Sequence, residues 1–403
     1  MNKLVTYFKK YLDHDISDKI NDIATNLDGS SSNQIIFYRI QNNRESVLKQ
    51  RLKKGKPGLI ILNKKPTFDI RVPNIVVEGD KYLKAQEDVL DILYPIEREH
   101  EVIGVTGTNG KTSVCFIGMQ LANQCGLNAI SVGTIGVYGR DGVFDTDHRT
   151  TTPSNIELRK IIHKSQPDLI FIELSSHALD QGRVLNLKLS AAGWTNFSQD
   201  HLDYHTTMKD YFEAKAKIVD LLKEGAKLYV NDSEKNLICL LEEKGLFFEK
   251  VITNDQLLRN LFLQVNFNRK NYELAEALLY AVIDYENRDC LDAEIIKPPP
   301  GRFDYIKYSE NSLIVIDYAH TPDAVEKVIK GIRSSFPGHE IQTILGCGGE
   351  RDSSKRPLMG YKACLHSDLV IFTSDNPRSE NPKKILDDIV RGLDRRNYKL
   401  IVD

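Results

Sequence analysis

No apolar run among these 403 residues approaches the roughly 18 needed to span a bilayer, which argues against a membrane-spanning chain. The opening MNKLVTYFKKYLDHD has no apolar signal-peptide core. Neither sign of charge dominates. With 54 Lys and Arg against 56 Asp and Glu the net charge is −2, leaving no global field for nucleic acid or an anionic membrane. The six cysteines (Cys115, Cys125, Cys239, Cys290, Cys347 and Cys364) contain no CxxC pair, so reduced structural thiols in a cytoplasmic protein are the expectation. Low-complexity tracts and short-period repeats are absent too. What remains, 41% hydrophobic and 27% charged, is the composition of a globular protein, and the length predicts two or three cores.

Short strand-like runs, NQIIFYRI, PGLIILN and PNIVVEG, alternate with polar helical segments over the first 95 residues. From residue 101 the rhythm becomes strand, loop, helix. EVIGVTG leads into a helix at 112–125 closed by Gly126, and PDLIFIEL and AAGWTNF follow as buried strands. Apolar runs alternating with amphipathic helices predict an α/β fold with a parallel sheet. KPPPGRF at 297–303 reads as a rigid break. Beyond it SLIVIDYAH, EIQTILGCGG and DLVIFTSDNPR restart the pattern, each followed by a helical stretch, the last two as buried strands. Three units are expected, 1–98, 99–300 and 301–403.

VTGTNGKTS at 105–113 lies between a strand and a helix, the context of a phosphate loop, although it is shorter than the GxxxxGK[ST] form. Gly107 and Gly110 would let backbone N–H groups of Thr108 and Asn109 approach phosphate oxygens. Lys111 would reach the terminal phosphates, and Thr112 could place its hydroxyl on Mg²⁺. A glycine-rich strand-to-helix turn is the plain alternative. Glu173 ends a strand at a carboxyl edge, where α/β sheets put ligands, and suits Mg²⁺ or simple exposure. NFSQDHLDYH then brings His201, Asp203 and His205 to a second strand end, as a site or only a hydrogen-bonded loop.

Thr207 and Asp210 mark the start of a further helix, whose apolar stripe is Met208, Tyr211, Phe212, Ile218, Val219 and Leu222. Lys209, Asp210, Glu213, Lys217 and Asp220 take the wet side. Lys215 falls on the stripe, where an ammonium must be paired, discharged or snorkelling.

In this order, GTNGKT, ELSSHALDQGRV, DHLDYH and YFEAK resemble the Mur ligases, the ATP-dependent enzymes that add amino acids to a peptidoglycan precursor. The branch is that of the MurE-type UDP-N-acetylmuramoyl-dipeptide ligases. The resemblance implies a three-domain architecture: a substrate domain, a central parallel-sheet P-loop ATPase domain and a Rossmann-like C-terminal domain. It implies a cytoplasmic amide ligase working through an acyl phosphate with ATP and Mg²⁺. Lys111, Glu173, His201 and Lys215 would be catalytic, with Thr112, Glu173, His201 and a CO₂-carbamylated Lys215 around metal. Thr151 and Thr152, with Ser175, Gln181 and Arg183, would meet a UDP-muramoyl-dipeptide carrier. Asn271, Arg302 and Asp317 match ATP-binding positions. In the third domain Arg351, Asp375, Asn376, Pro377 and Arg378 resemble the form that adds meso-diaminopimelate, and two arginines and an amide suit an amine with two carboxylates.

Three departures accompany the likeness. IATNLDGSSSNQIIFYRI stands where the family has Asp-Ser-Arg near its uridine site, and only 52 residues separate Lys215 from Asn268, which shortens a β-rich part. LDRRNYKLIVD precedes no GKGHE-like segment. A monomer is expected, with a partner chain completing the C-terminal domain as an alternative. The N-terminal departure favours a Mur-like ligase with another carrier, and the C-terminal one a non-catalytic nucleotide-binding relative.

Overall fold

The computed structural model describes residues 3–9, 19–40, 45–145, 150–184, 186–253, 259–283 and 290–402. It divides into two compact units, Met1–Glu99 with Pro153–Pro167, and His100–Thr152 with Asp168–Asp403.

The first unit is built on four parallel strands in the order Asp22–Ala24, Gln34–Tyr38, Leu59–Leu62 and Asn74–Val76. All four residues of LIIL are buried, since apolar side chains cover both faces of the sheet. The helix Asn155–Ser165, started by a reciprocal Ser154–Glu157 capping box, joins this unit although it comes from beyond residue 99. Ile156 enters the core, Arg159 reaches Asp91 at 2.6 Å and Asn155 reaches Glu87 at 3.1 Å. Lys160 reaches Asp22 at 2.7 Å. These long-range pairs are invisible in linear sequence, so a boundary at 98/99 takes no account of that helix.

The second unit carries an eight-stranded sheet. Its order is Glu249–Val251, Leu228–Asn231, Ala191–Trp194, Glu101–Thr106, Leu169–Glu173, Ala129–Gly133, Gly136–Gly139 and Gly142–Asp145. Only the last two pairings are antiparallel. The helix Lys111–Gln124 is buried almost all round, from Thr112 through Met119 and on to Ala122, which is why its sequence shows no clean polar face. Asn266–Tyr280 packs beside it. Between Lys215 and Asn268 the described residues supply two strands and one α-helix after a 3-10 turn, and no separate β-rich part.

The C-terminal stretch differs from expectation in two respects. SLIVI does not join a parallel sheet; Ser312–Ile316 pairs antiparallel with Asp304–Ser309 as a hairpin, with Ile306, Ile314 and Ile316 exposed. The parallel sheet that follows has three strands, Gln342–Leu345, Leu369–Thr373 and Tyr398–Ile401. Its first strand is exposed at every second residue, not buried. Alternating exposure marks a strand covered on one face only. The cysteines give a further correction. Cys125 and Cys290 form a disulfide with Cα atoms 5.4 Å apart, a pairing hidden by 165 residues of separation, while Cys115, Cys239, Cys347 and Cys364 are free.

Candidate functional site

A cleft of about 1710 Å³ in the second unit is lined by the phosphate loop, the ends of the central strands, the start of Asn266–Tyr280 and the C-terminal loops. This is the carboxyl edge of the parallel strands, where helix N-termini and loops converge.

The loop is held from all sides. Gly107 has φ 141° and Gly110 φ 85°, and a Cβ at Gly107 would lie 1.9 Å from Thr195 Oγ1. The Asn109 N–H donates to Asn196 Oδ1 at 2.9 Å, and Asn196 Nδ2 returns a bond to the Asn109 carbonyl at 3.0 Å. Thr108 Oγ1 donates to the Ser198 carbonyl at 3.1 Å. Lys111 Nζ donates to the carbonyls of Gly107 and Thr108 at 2.8 and 2.9 Å. Burial lowers the Lys111 pKa, opposed by the charges of Glu173 and Asp200. Thr112 is buried at the first helical turn, and the Asn271 side chain sits against Gly110.

Glu173 ends its strand almost wholly buried, yet borders the cleft. Its carboxylate accepts the Thr134 N–H at 2.8 Å and the Thr134 hydroxyl at 3.2 Å. His201 stands at φ 53° before a four-residue helix, with Nε2 3.5 Å from Asp200. Partial desolvation pulls its pKa down to about 4, against the pull of Asp200. Asp203 also borders the cleft, whereas His205 turns inward to Ser176 Oγ at 2.9 Å.

The helix Met208–Ala216 starts at Thr207, whose hydroxyl accepts the Asp210 N–H, and tightens into a 3-10 turn from Lys217 to Leu221. Tyr211, Phe212, Lys215 and Ile218 form the buried stripe. Lys215 is 1% exposed; its Nζ lies 2.7 Å from the Gly107 carbonyl and 4.7 Å from the Tyr211 ring centre. Desolvation, then Lys111, pushes its pKa well below the ordinary lysine value. A snorkelling lysine would show its ammonium to water; this one does not.

Arg302 lies over the Tyr318 ring at 4.6 Å, and Asp317 accepts the N–H of Phe303 at 2.8 Å, bracing a residue with φ 50°. Arg302 and Asp317 border the cleft, as do Arg351, Asp375, Asn376 and Arg378. Asn376 Oδ1 accepts the Arg378 N–H at 3.2 Å, Pro377 accepts the Glu380 N–H, and Arg378 donates to the Gly349 carbonyl.

The expected carrier contacts divide. Thr151 borders the cleft beside Thr134, at 3.1 Å. Thr152 is fully buried as a brace, donating to the Glu173 carbonyl at 2.8 Å and accepting the Ser175 N–H at 2.9 Å. Ser175 caps the helix Ser176–Asp180, and Arg183 is engaged by Gln181 at 2.6 and 2.8 Å, outside the cleft lining. Sequence reasoning passed over Asp200, Asn196 and Thr134. The signal was available for the first two, because both lie in the NFSQDHLDYH stretch that presents His201.

The profile of the Mur ligase middle domain matches residues 105–278, and that of the Mur ligase, glutamate ligase domain matches residues 301–403. A UDP-N-acetylmuramoyl-L-alanyl-D-glutamate–2,6-diaminopimelate ligase of Rickettsia montanensis is 33% identical over 408 residues, 91% of this chain and 83% of its own. The enzyme of that name from Aquifex aeolicus is 33% identical over 393 residues, 91% and 80% of the two chains. A solved structure of a ligase with the same name superposes with TM-score 0.61 at 25% identity, covering 95% of this chain and 85% of that one. A MurF structure from Acinetobacter baumannii, at 13% identity, shares the fold with TM-score 0.64 over 99% and 89%. Two matched domains and a third of all residues shared over nine-tenths of the length make this chain a member of the Mur ligase family.

Proposed function

We propose that the protein is a cytoplasmic, monomeric ATP-dependent amide ligase. It adds a dicarboxylic amino acid, meso-diaminopimelate, to UDP-N-acetylmuramoyl-L-alanyl-D-glutamate, with parts at 1–98, 99–300 and 301–403. One observation carries the reading: a single cleft holds both a braced phosphate loop and a pair of arginines, Arg351 and Arg378, beside Asn376. The names of the 33%-identical relatives support the substrates. A carrier carboxylate takes the γ-phosphoryl group of ATP, giving an acyl phosphate and ADP. The amine attacks the acyl carbon, the C–N bond forms, and phosphate leaves. Lys111 balances charge on the moving phosphoryl group, and Arg302, Asp317 and Asn271 orient the nucleotide.

Among the described residues no three His, Cys, Asp or Glu side chains form a metal cage. Magnesium commonly takes one or two protein carboxylates and completes its shell with phosphates and water, so the cleft-facing Glu173 with the Thr112 hydroxyl fits it. Glu173, Thr112, His201 and a carbamylated Lys215 would hold Mg²⁺, which when bound offsets phosphate charge. Burial lowers the Lys215 pKa and so favours the neutral amine, the form that CO₂ needs.

A second reading keeps the chemistry and changes the carrier. IATNLDGSSSNQIIFYRI, which lacks Asp-Ser-Arg, favours it. Amine-dependent ADP release, assayed against muramoyl-dipeptide and other carriers with diaminopimelate, lysine and monocarboxylic amines, decides. Turnover without any amine dependence would end both readings in favour of a nucleotide-binding relative.

A further inference from the structure

The loops that carry Arg351 and Arg378 leave neighbouring parallel strands, Gln342–Leu345 and Leu369–Thr373. Neither is a relaxed turn. Glu350 has φ 51° and Arg378 φ 49°, a region in which a side chain is crowded. The loops also meet closely, since a Cβ at Gly349 would lie 1.9 Å from the Pro377 carbonyl oxygen. Such a geometry persists only where its surroundings over-determine it.

Beneath both loops lies Arg356, on the helix Lys355–His366, 1% exposed and assigned no role above. Its Nη1 donates to Glu380 Oε2 at 2.9 Å and to Asp388 Oδ2 at 3.0 Å. Its Nη2 donates to Glu380 Oε1 at 2.9 Å and to the Gly348 carbonyl at 3.3 Å. Glu380 Oε1 in turn accepts the Glu350 N–H, and the Gly349 N–H donates to the Asn376 carbonyl at 2.9 Å. One guanidinium thus grips the first loop through Gly348, the second through Glu380, and the helix Pro382–Ile389 through Asp388. The grip on Glu380 is bidentate, a planar match that an ammonium cannot reproduce.

We propose that Arg356, acting through Glu380, is a positioning residue that sets the spacing of Arg351 and Arg378 and thereby the preference for an amine bearing two carboxylates. This rests on the reading of those arginines as the amine pocket. Arg356 lies at the cleft wall but is 1% exposed, its guanidinium spent on Glu380, Asp388 and Gly348, so it works by holding two strained loops in one register.

Glu380→Ala is the cleanest test, because Asp388 still pairs Arg356 and the fold survives. Hydrogen exchange at the Glu350 and Gly349 amides should quicken about tenfold or more, with Lys355–His366 unchanged. KM for the dicarboxylic amine should rise about tenfold, with KM for ATP within about twofold. Arg356→Lys should shift the same two readouts in the same direction. Unchanged exchange at both amides in Glu380→Ala overturns the clamp, as does a parallel rise of both KM values. Arg378→Ala separates the two ideas. If it leaves the amine KM untouched, the pocket reading fails and the role of Arg356 in preference falls with it. If it raises that KM while Glu380→Ala does not, the pocket stands and the clamp alone is lost.

Discussion

The two ends of the cleft are built on different physics. At the nucleotide end, strands buried on both faces deliver the phosphate loop, and side-chain and backbone bonds from Thr195, Asn196 and Ser198 pin it. At the end proposed for the amine, loops with residues at positive φ leave a three-stranded sheet that is partly exposed, and one buried arginine ties them together. The first end is held because its buried backbone groups must be paired, and side chains as well as backbone pair them. The second depends on a few charged hydrogen bonds, so it is where single substitutions should change selectivity without harming phosphoryl chemistry.

Lys111→Ala tests the nucleotide end most severely. ADP release should fall by about a thousandfold or more, with thermal unfolding near that of the parent, because a charge on the transferring group is lost. Near-normal release would remove the phosphate-loop assignment.

Lys215→Ala should reduce ligation about a hundredfold, with ATP still bound through Lys111 and Thr112, and a short carboxylic acid in solution should restore part of the rate. Stripping CO₂ and bicarbonate from the parent protein should also lower activity. An unmodified Lys215 in the intact mass of an active, metal-loaded sample at neutral pH counts against the carbamate.

Arg378→Ala moves to the amine end. KM for a dicarboxylic amine should rise about ten- to a hundredfold, as a charged hydrogen bond worth about 1.5–3 kcal/mol is lost, while ATP affinity holds. Equal losses with a monocarboxylic amine would show that Arg378 is no selector, and the contrast between the two ends would collapse.

The smallest effect is expected in the N-terminal unit. Burial raises the Asp22 pKa, but bonds from Lys160, Tyr94 and Gln34 outweigh it and hold the carboxyl down at about 2. A carboxyl depressed in the folded state stabilises above its unfolded pKa near 4, and that stability is lost as pH falls toward 2. After discounting for solvent, Asp22→Asn should cost about 1 kcal/mol at pH 7 and about half that at pH 3, read by chemical denaturation. A gap that does not narrow with falling pH would show that Asp22 acts by packing and not by charge.

Much of this was legible in the chain. VTGTNGKTS was legible as a glycine-rich turn between strand and helix, the frame a phosphate loop needs, and Lys215 stood out because a charge broke an apolar period. The Cys125–Cys290 pair, the helix Asn155–Ser165 in the N-terminal unit and the Arg356 clamp were not legible, because each joins residues that no local period relates. Thr152 shows the same limit from the other side. A threonine in a motif reads as a contact, and only its burial between the Glu173 carbonyl and the Ser175 N–H reveals a brace.

By itself the sequence determined the class of fold, the glycine-rich turn between strand and helix and the residues that could carry charge, because hydrophobic period and glycine placement act over a few residues. Tertiary structure alone decided which of those residues share the cleft and which brace it, because burial and hydrogen-bond partners are set by chain segments tens to hundreds of positions apart.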